Sequence, residues 1–211
     1  MTPSAASPHF VPRRVLLFSG HRVDAPGRAP ARFPSALVPR AAQAIGDALD
    51  ALGAGPADLA ISQAASGGDL LFADACAARG VRLCVMLPMA EPAFIAESVQ
   101  GSAGTDDWAA RYAAMRANLS QPPQVLADVR PDPVDPPWPQ ADVFRRCNAW
   151  LLDTAIAHGV GKLHFICLWD GSDAGGPGGT AHMVREVARV GAPMSWIDTR
   201  ALAAPTRLVA P

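Results

Sequence analysis

The chain has 211 residues, 50% of them hydrophobic, 18% charged and 6% aromatic, and a formal net charge of −1 at pH 7. That apolar content suits one core of ordinary size. Near-neutrality argues against a dedicated binder of nucleic acid or of an anionic membrane, because such affinity starts from clustered Lys and Arg; a local anion pocket stays compatible with it. No apolar stretch approaches the roughly 20 residues that span a bilayer. The opening MTPSAASPHFVPRR lacks the hydrophobic centre of a signal peptide, so a cytoplasmic protein is expected. Cys76, Cys84, Cys147 and Cys167 stand far apart with no C-x-x-C pair and read as reduced core thiols.

Residues 1–13 read as a flexible tail. Val15 to Phe18 is a short apolar run bounded by charge and by Ser19-Gly20-His21, which predicts a buried strand. A long loop rich in Pro, Gly and Arg follows over 20–35. Val38, Ala41, Ala42, Ile45, Ala48, Leu49 and Leu52 then recur at helical spacing up to Gly53. Leu59 to Ile61 predicts a second strand. It is followed by Ser66-Gly67-Gly68-Asp69 and an Ala-rich helix through Arg79, ended by Gly80. Val81 to Leu87 forms a third strand that Pro88 terminates.

Two helical stretches come next, the second marked by Trp108, Tyr112, Met115 and Leu119. Residues 121–140 hold seven prolines, together with Asp132, Asp135 and Trp138, and read as an extended surface connection inside one domain. Val143, Cys147, Trp150, Leu151 and Thr154 give a helix face ending near Gly159. Lys162 to Trp169 is the strongest strand pattern in the chain. It leads into a glycine-rich run from Asp170 to Thr180, a last helix through Met183, Val184 and Val187, and a strand near Met194 to Ile197. Residues 199–211 read as a C-terminal tail.

Short apolar strands alternating with helices predict an α/β fold, a single doubly wound, mainly parallel Rossmann-like sheet over residues 14–198 with helices on both faces. Ligands in such sheets bind beyond the carboxyl ends of the strands. Three loops qualify. Ser19, Gly20, His21 and Arg22 open the first, which also carries Arg28 and Arg32. Ser66, Gly67, Gly68 and Asp69 open a helix in the second, and Gly175 to Thr180, including Gly178, Gly179 and Thr180, do so in the third. Small residues let backbone N–H groups approach a ligand, and a helix N-terminus favours negative charge. Each terminus contributes up to about 2 kcal/mol towards an anion and each charged arginine hydrogen bond roughly 1.5–3 kcal/mol. Micromolar binding of a phosphorylated ligand is therefore energetically reasonable.

Other chemistries find no support. There is no G-x-G-x-x-G after the first strand, no G-x-x-x-x-G-K-[ST] and no G-x-S-x-G. The histidines His9, His21, His158, His164 and His182 show no metal-ligand spacing, so neither metal nor cofactor is expected. Asn148, inside a helix beside Arg145, Arg146 and Trp150, is a poor helix former and predicts a polar contact. Asp69 reads equally as a helix N-terminal charge and as an acceptor for a ribose hydroxyl. Glu186 reads as a solvated surface charge.

Phe18-Ser19-Gly20-His21, Ser66 to Ala73, Leu87-Pro88, Trp169-Asp170-Gly171 and Gly175 to Thr180 together resemble the SLOG superfamily. This group of Rossmann-like domains includes DNA-processing protein A and the Lonely Guy phosphoribohydrolases. The resemblance implies a site for nucleotides or nucleotide-derived ligands, ADP-ribose-like signals among them, at Ser19, Gly20, Gly67, Gly68, Asp69, Gly178, Gly179 and Thr180. It covers residues 14–198. Lonely Guy enzymes carry a PGGxGTxxE loop, whereas this chain has Pro177-Gly178-Gly179-Thr180-Ala181-His182-Met183, shorter between Gly and Thr and without the glutamate.

Three functions follow. The first is a sensor or receptor for a small nucleotide ligand. The second is a nucleotide N-glycosidase releasing a free base, with Asp69 or Glu186 as its carboxylate and Arg22 or Arg145 on the phosphate. The third is a protein-interaction scaffold using the Pro-rich segment near Trp138. A homodimer is the assembly to expect, as the commonest symmetric arrangement. Val at Gly67 or Gly179 should abolish ligand binding and leave the fold largely intact.

Overall fold

Val15–Gly20 (β1) runs through the centre of a six-stranded sheet. The computed structural model describes residues 10–102, 104, 106–126, 140–173 and 178–204. Expectations for residues 1–9, most of the Pro-rich stretch with Trp138, Gly175 to Pro177 and residues 205–211 lie outside the described residues. After β1 come α1 (Val38–Ala51), β2 (Leu59–Ser62), α2 (Gly68–Ala77) and β3 (Arg82–Leu87). The short α3 (Glu91–Phe94) continues into a π-helical turn at Ile95–Val99 and is followed by α4 (Trp108–Ala117) and β4 (Gln124–Val125). Then come α5 (Gln140–Ala157), β5 (Leu163–Trp169), α6 (Thr180–Arg189), β6 (Met194–Asp198) and α7 (Thr199–Ala203).

The strand order is β4-β3-β2-β1-β5-β6 and every pairing is parallel. This is the doubly wound α/β architecture that the strand patterns predict. Alternate residues of β1 serve opposite cores. Leu16 and Phe18 join Ile45 and Leu49 of α1 and Leu70 and Phe72 of α2 in one cluster. Val15 and Leu17 join Cys147 and Leu151 of α5 and Met183 and Val187 of α6 in the other. A strand covered on both faces must be apolar throughout, which is why β1 shows no polar alternation before Ser19. Phe18 stacks on Phe72 with ring centroids 4.5 Å apart, and replacing either with Ala would cost ~3–5 kcal/mol.

Three segments differ from their expected form. Gln124–Val125 adds an edge strand beside Met86 and Leu87, and Leu126 is buried, so the Pro-rich segment is not wholly a surface connection. Proline is tolerated next to an edge strand, and two residues are too few to show a period. At the N-terminus, the expected tail is tied down over its last residues. Arg13 donates from Nε and Nη2 to the two carboxylate oxygens of buried Asp58, at 3.0 and 2.7 Å, and the Arg82 guanidinium lies 3.9 Å from the centre of the Phe10 ring. At the C-terminus, Thr199–Ala203 is helical rather than tail. Asp198 accepts the Arg200 N–H at 2.9 Å as its cap, and Arg40 Nη1 donates to the Leu202 and Ala204 carbonyls.

Cys76, Cys147 and Cys167 are buried and Cys84 half-buried, none of them in a disulfide, and burial raises all four thiol pKa values. Among the described residues no helix is long and apolar enough to cross a membrane.

Candidate functional site

Gly20 pairs with Leu168, so β1 and β5 end side by side. From there the chain winds towards β2 on one side and towards β6 on the other, which makes this edge the switch point of the sheet. A cleft of about 260 Å³ opens there. Ser19, Gly20, His21 and Arg22 line it from the end of β1, Asp69 from α2, Asn148 from α5, and Gly178, Gly179 and Thr180 from the entry to α6.

The remaining expected residues lie elsewhere. Ser66, Gly67 and Gly68 are not among the lining residues; they form packing behind the wall. Ser66 is buried, with its hydroxyl 2.6 Å from that of Ser102. The Gly68 N–H donates to the His21 carbonyl at 3.0 Å. A Cβ on Gly67, whose φ is +87°, would stand 2.7 Å from Val23 N and 2.8 Å from His21 O. Gly67 therefore holds the first loop against α2, and the expectation that Val there spares the fold is corrected. Glu186 also falls outside the cleft. It pairs with Arg189 at 3.1 Å and lies 3.9 Å from His182 on its own helix.

The turn before α6 is held by Asn148, buried at 2% exposure. Its Nδ2 donates to the Gly178 carbonyl at 2.7 Å, and its Oδ1 accepts from Gln63 Nε2 at 2.9 Å. The polar contact expected of this residue thus clamps the loop after β2 to the α6 turn. Across the cleft, the Ser19 hydroxyl donates to Thr180 Oγ1 at 3.3 Å. The α6 helix begins at Gly179 with no side-chain cap, which leaves its dipole directed at the cleft.

Two charged assemblies set the electrostatics. His21 Nε2 lies 3.0 Å from Asp170 Oδ1 and 3.2 Å from the Asp170 backbone N, so both the carboxylate and the N–H of Asp170 meet the same ring nitrogen. Burial raises the Asp170 pKa, but hydrogen bonds from the Ser172 N–H and hydroxyl and from His21 outweigh it and hold the carboxyl at about 2. Burial lowers the His21 pKa in spite of that partner. On the opposite wall, desolvation raises Asp69 to about 7 against the Ala65 and Gly20 N–H groups and the Arg22 charge.

Arg22 and Arg32 bring the positive charge. Both are half-buried and line the cleft, and each has a buried Nε with no hydrogen-bond partner. Burial lowers the pKa of both, opposed at Arg22 by Glu97 and Asp69. Asp24 delivers Arg32: its Oδ2 accepts the N–H groups of Arg32 and Phe33, each at 2.9 Å.

Phe18, Arg32, Gln63, Ala65, Glu97, Ser98, Phe144, Trp169, Ser172 and Ala181 complete the lining and were not among the expected site residues. Glu97 and Ser98 belong to the π-helical turn that continues α3, on the connection from β3 to α4, and are hidden among the apolar spacings of Phe94 and Val99. Among the described residues, no group of three or more His, Cys, Asp or Glu side chains is placed to hold a metal ion. No protein-family model matches the chain, and a search of curated proteins finds no match.

Proposed function

We propose that the cleft binds a nucleotide or nucleotide-derived ligand carrying a phosphorylated ribose, and that the protein acts as a receptor or sensor for it. One observation carries this reading: two guanidinium groups reach the same cleft with buried, unpartnered Nε–H donors. A buried donor without a partner costs about 1–3 kcal/mol, and a phosphate supplies the acceptors that remove this cost for both arginines. The uncapped start of α6 adds a third favourable element for an anion. The SLOG resemblance of the strand-end loops supports the same ligand class. A cytoplasmic setting fits the unpaired thiols, and a homodimer is the proposed assembly.

Nucleotide N-glycosidase activity is the second reading, favoured by Asp69. A carboxyl held at about 7 in a cleft exchanges protons at neutral pH, as a general acid must. Glu186 has no part in it from its position on α6.

Isothermal titration of AMP and ADP-ribose into the protein tests the binding site. Micromolar affinity is expected in the wild type. Arg22→Gln and Arg32→Gln should each weaken it about 10- to 100-fold, as loss of a charged hydrogen bond worth ~1.5–3 kcal/mol implies. Unchanged affinity in both variants would overturn the site.

A further inference from the structure

We infer that the wall formed by Asp69 and Ser98 reads the hydroxyl groups of a sugar, so that the cleft selects ribonucleotides over 2′-deoxyribonucleotides. This rests on the phosphorylated-nucleoside reading and names what that reading leaves open.

Four cleft-lining side chains hold a buried polar atom without a partner: Arg22 Nε, Arg32 Nε, Asp69 Oδ1 and Ser98 Oγ. The first two are donors. The last two are a carboxylate oxygen and a hydroxyl, and Asp69 and Ser98 are 6% and 1% exposed. Above pH 7, where Asp69 is ionised, a phosphate satisfies the arginines but cannot satisfy Asp69 Oδ1, because both groups then accept. The ligand that completes the cleft therefore has an anion at one end and an O–H or N–H donor close by.

Position favours the sugar over the base as the source of that donor. Arg22, Asp69, Glu97 and Ser98 line the same cleft, so the acceptors share it with the arginine that meets the phosphate. In a nucleoside phosphate the group next to the phosphate is the ribose, and the exocyclic amines of the base lie beyond it. Both receiving groups are also fixed in advance. Asp69 Oδ2 accepts the Ala65 N–H at 3.2 Å, the Gly20 N–H also faces the carboxyl, and Oδ1 itself makes no hydrogen bond. The Ser98 carbonyl accepts the Ser66 N–H at 2.9 Å and holds the π-helical turn against α2. A site built to hydrogen-bond a hydroxyl discriminates strongly against the analogue that lacks it, because its own polar groups are then stranded.

The experiment titrates AMP, 2′-deoxy-AMP, IMP and adenosine into the wild type, Asp69→Asn and Ser98→Ala. The wild type should bind AMP at least tenfold more tightly than 2′-deoxy-AMP, and IMP within about twofold of AMP. Both variants should shrink the ribose preference to within about threefold and still prefer AMP to adenosine. Equal binding of AMP and 2′-deoxy-AMP by the wild type overturns the inference and leaves the phosphate site standing; this comparison needs no substitution. A loss on replacing AMP by IMP that disappears in Asp69→Asn makes the wall a base reader and also overturns it. Failure of every nucleotide to bind overturns both this assignment and the functional proposal.

Discussion

Gly67 keeps two backbones apart by having no side chain. Its φ of +87° and the 2.7 Å separation that a Cβ would have from Val23 N make Gly67→Ala destabilising by ~1–3 kcal/mol, measurable as a lower urea midpoint. A midpoint equal to the wild type would show that the first loop does not rest on α2. Asp69 makes a pH-dependent contribution of definite sign. Its folded pKa of about 7 stands above its ordinary 3.8, so between pH 4 and 7 the folded state holds a proton that the unfolded chain has released. Stability from this group is full below pH 4 and is lost as pH rises through 7. The stability difference between wild type and Asp69→Asn should therefore fall by up to roughly 4 kcal/mol from pH 4 to pH 8. His21, whose pKa is lowered, is common to both proteins and cancels in that difference. Parallel urea-derived stability curves would contradict the burial of an ionisable Asp69.

Helix α5 reaches across the sheet edge through Asn148 and holds both the loop after β2 and the turn before α6. Asn148→Ala strands the Gly178 carbonyl and the Gln63 amide. It should cost ~1–3 kcal/mol and speed hydrogen exchange in the first turn of α6, with α1 unchanged; uniform exchange across both helices would contradict a local clamp. The helix was legible from Val143, Cys147, Trp150 and Leu151, and so was the need for a polar contact at Asn148, because Asn lowers helix propensity without an apolar gain. The identity of its partners was not legible, since Gln63 lies 85 residues away and only the sheet brings it near. Strands β1, β3 and β5 were legible because burial on both faces demands unbroken apolar runs. The two-residue β4 and the five-residue α7 lack the length to show a period.

At the scale of the molecule, the site is a consequence of strand order. Because the connections that leave the parallel strands β1 and β5 run to opposite sides of the sheet, loops distant in sequence meet beyond one sheet edge, and Ser19, Arg22, Asp69, Asn148 and Thr180 converge there. The search of strand-end loops found these residues except Asn148, which its poor helix propensity marked, and it missed Glu97 and Ser98 because the π-helical turn that continues α3 has no glycine-rich signature. Arg32 was visible in the first loop, but its entry into the cleft depends on the bend at Asp24. The most direct measurement incubates the protein with AMP, cytidine and uridine monophosphates, NAD, ADP-ribose and cyclic nucleotides, then analyses the bound fraction and the supernatant by mass spectrometry. The receptor account predicts one compound retained unaltered, and retained no longer by Arg22→Gln. Release of free base would contradict the receptor and make the cleft an N-glycosidase site, and retention of nothing would contradict the cleft as a nucleotide site.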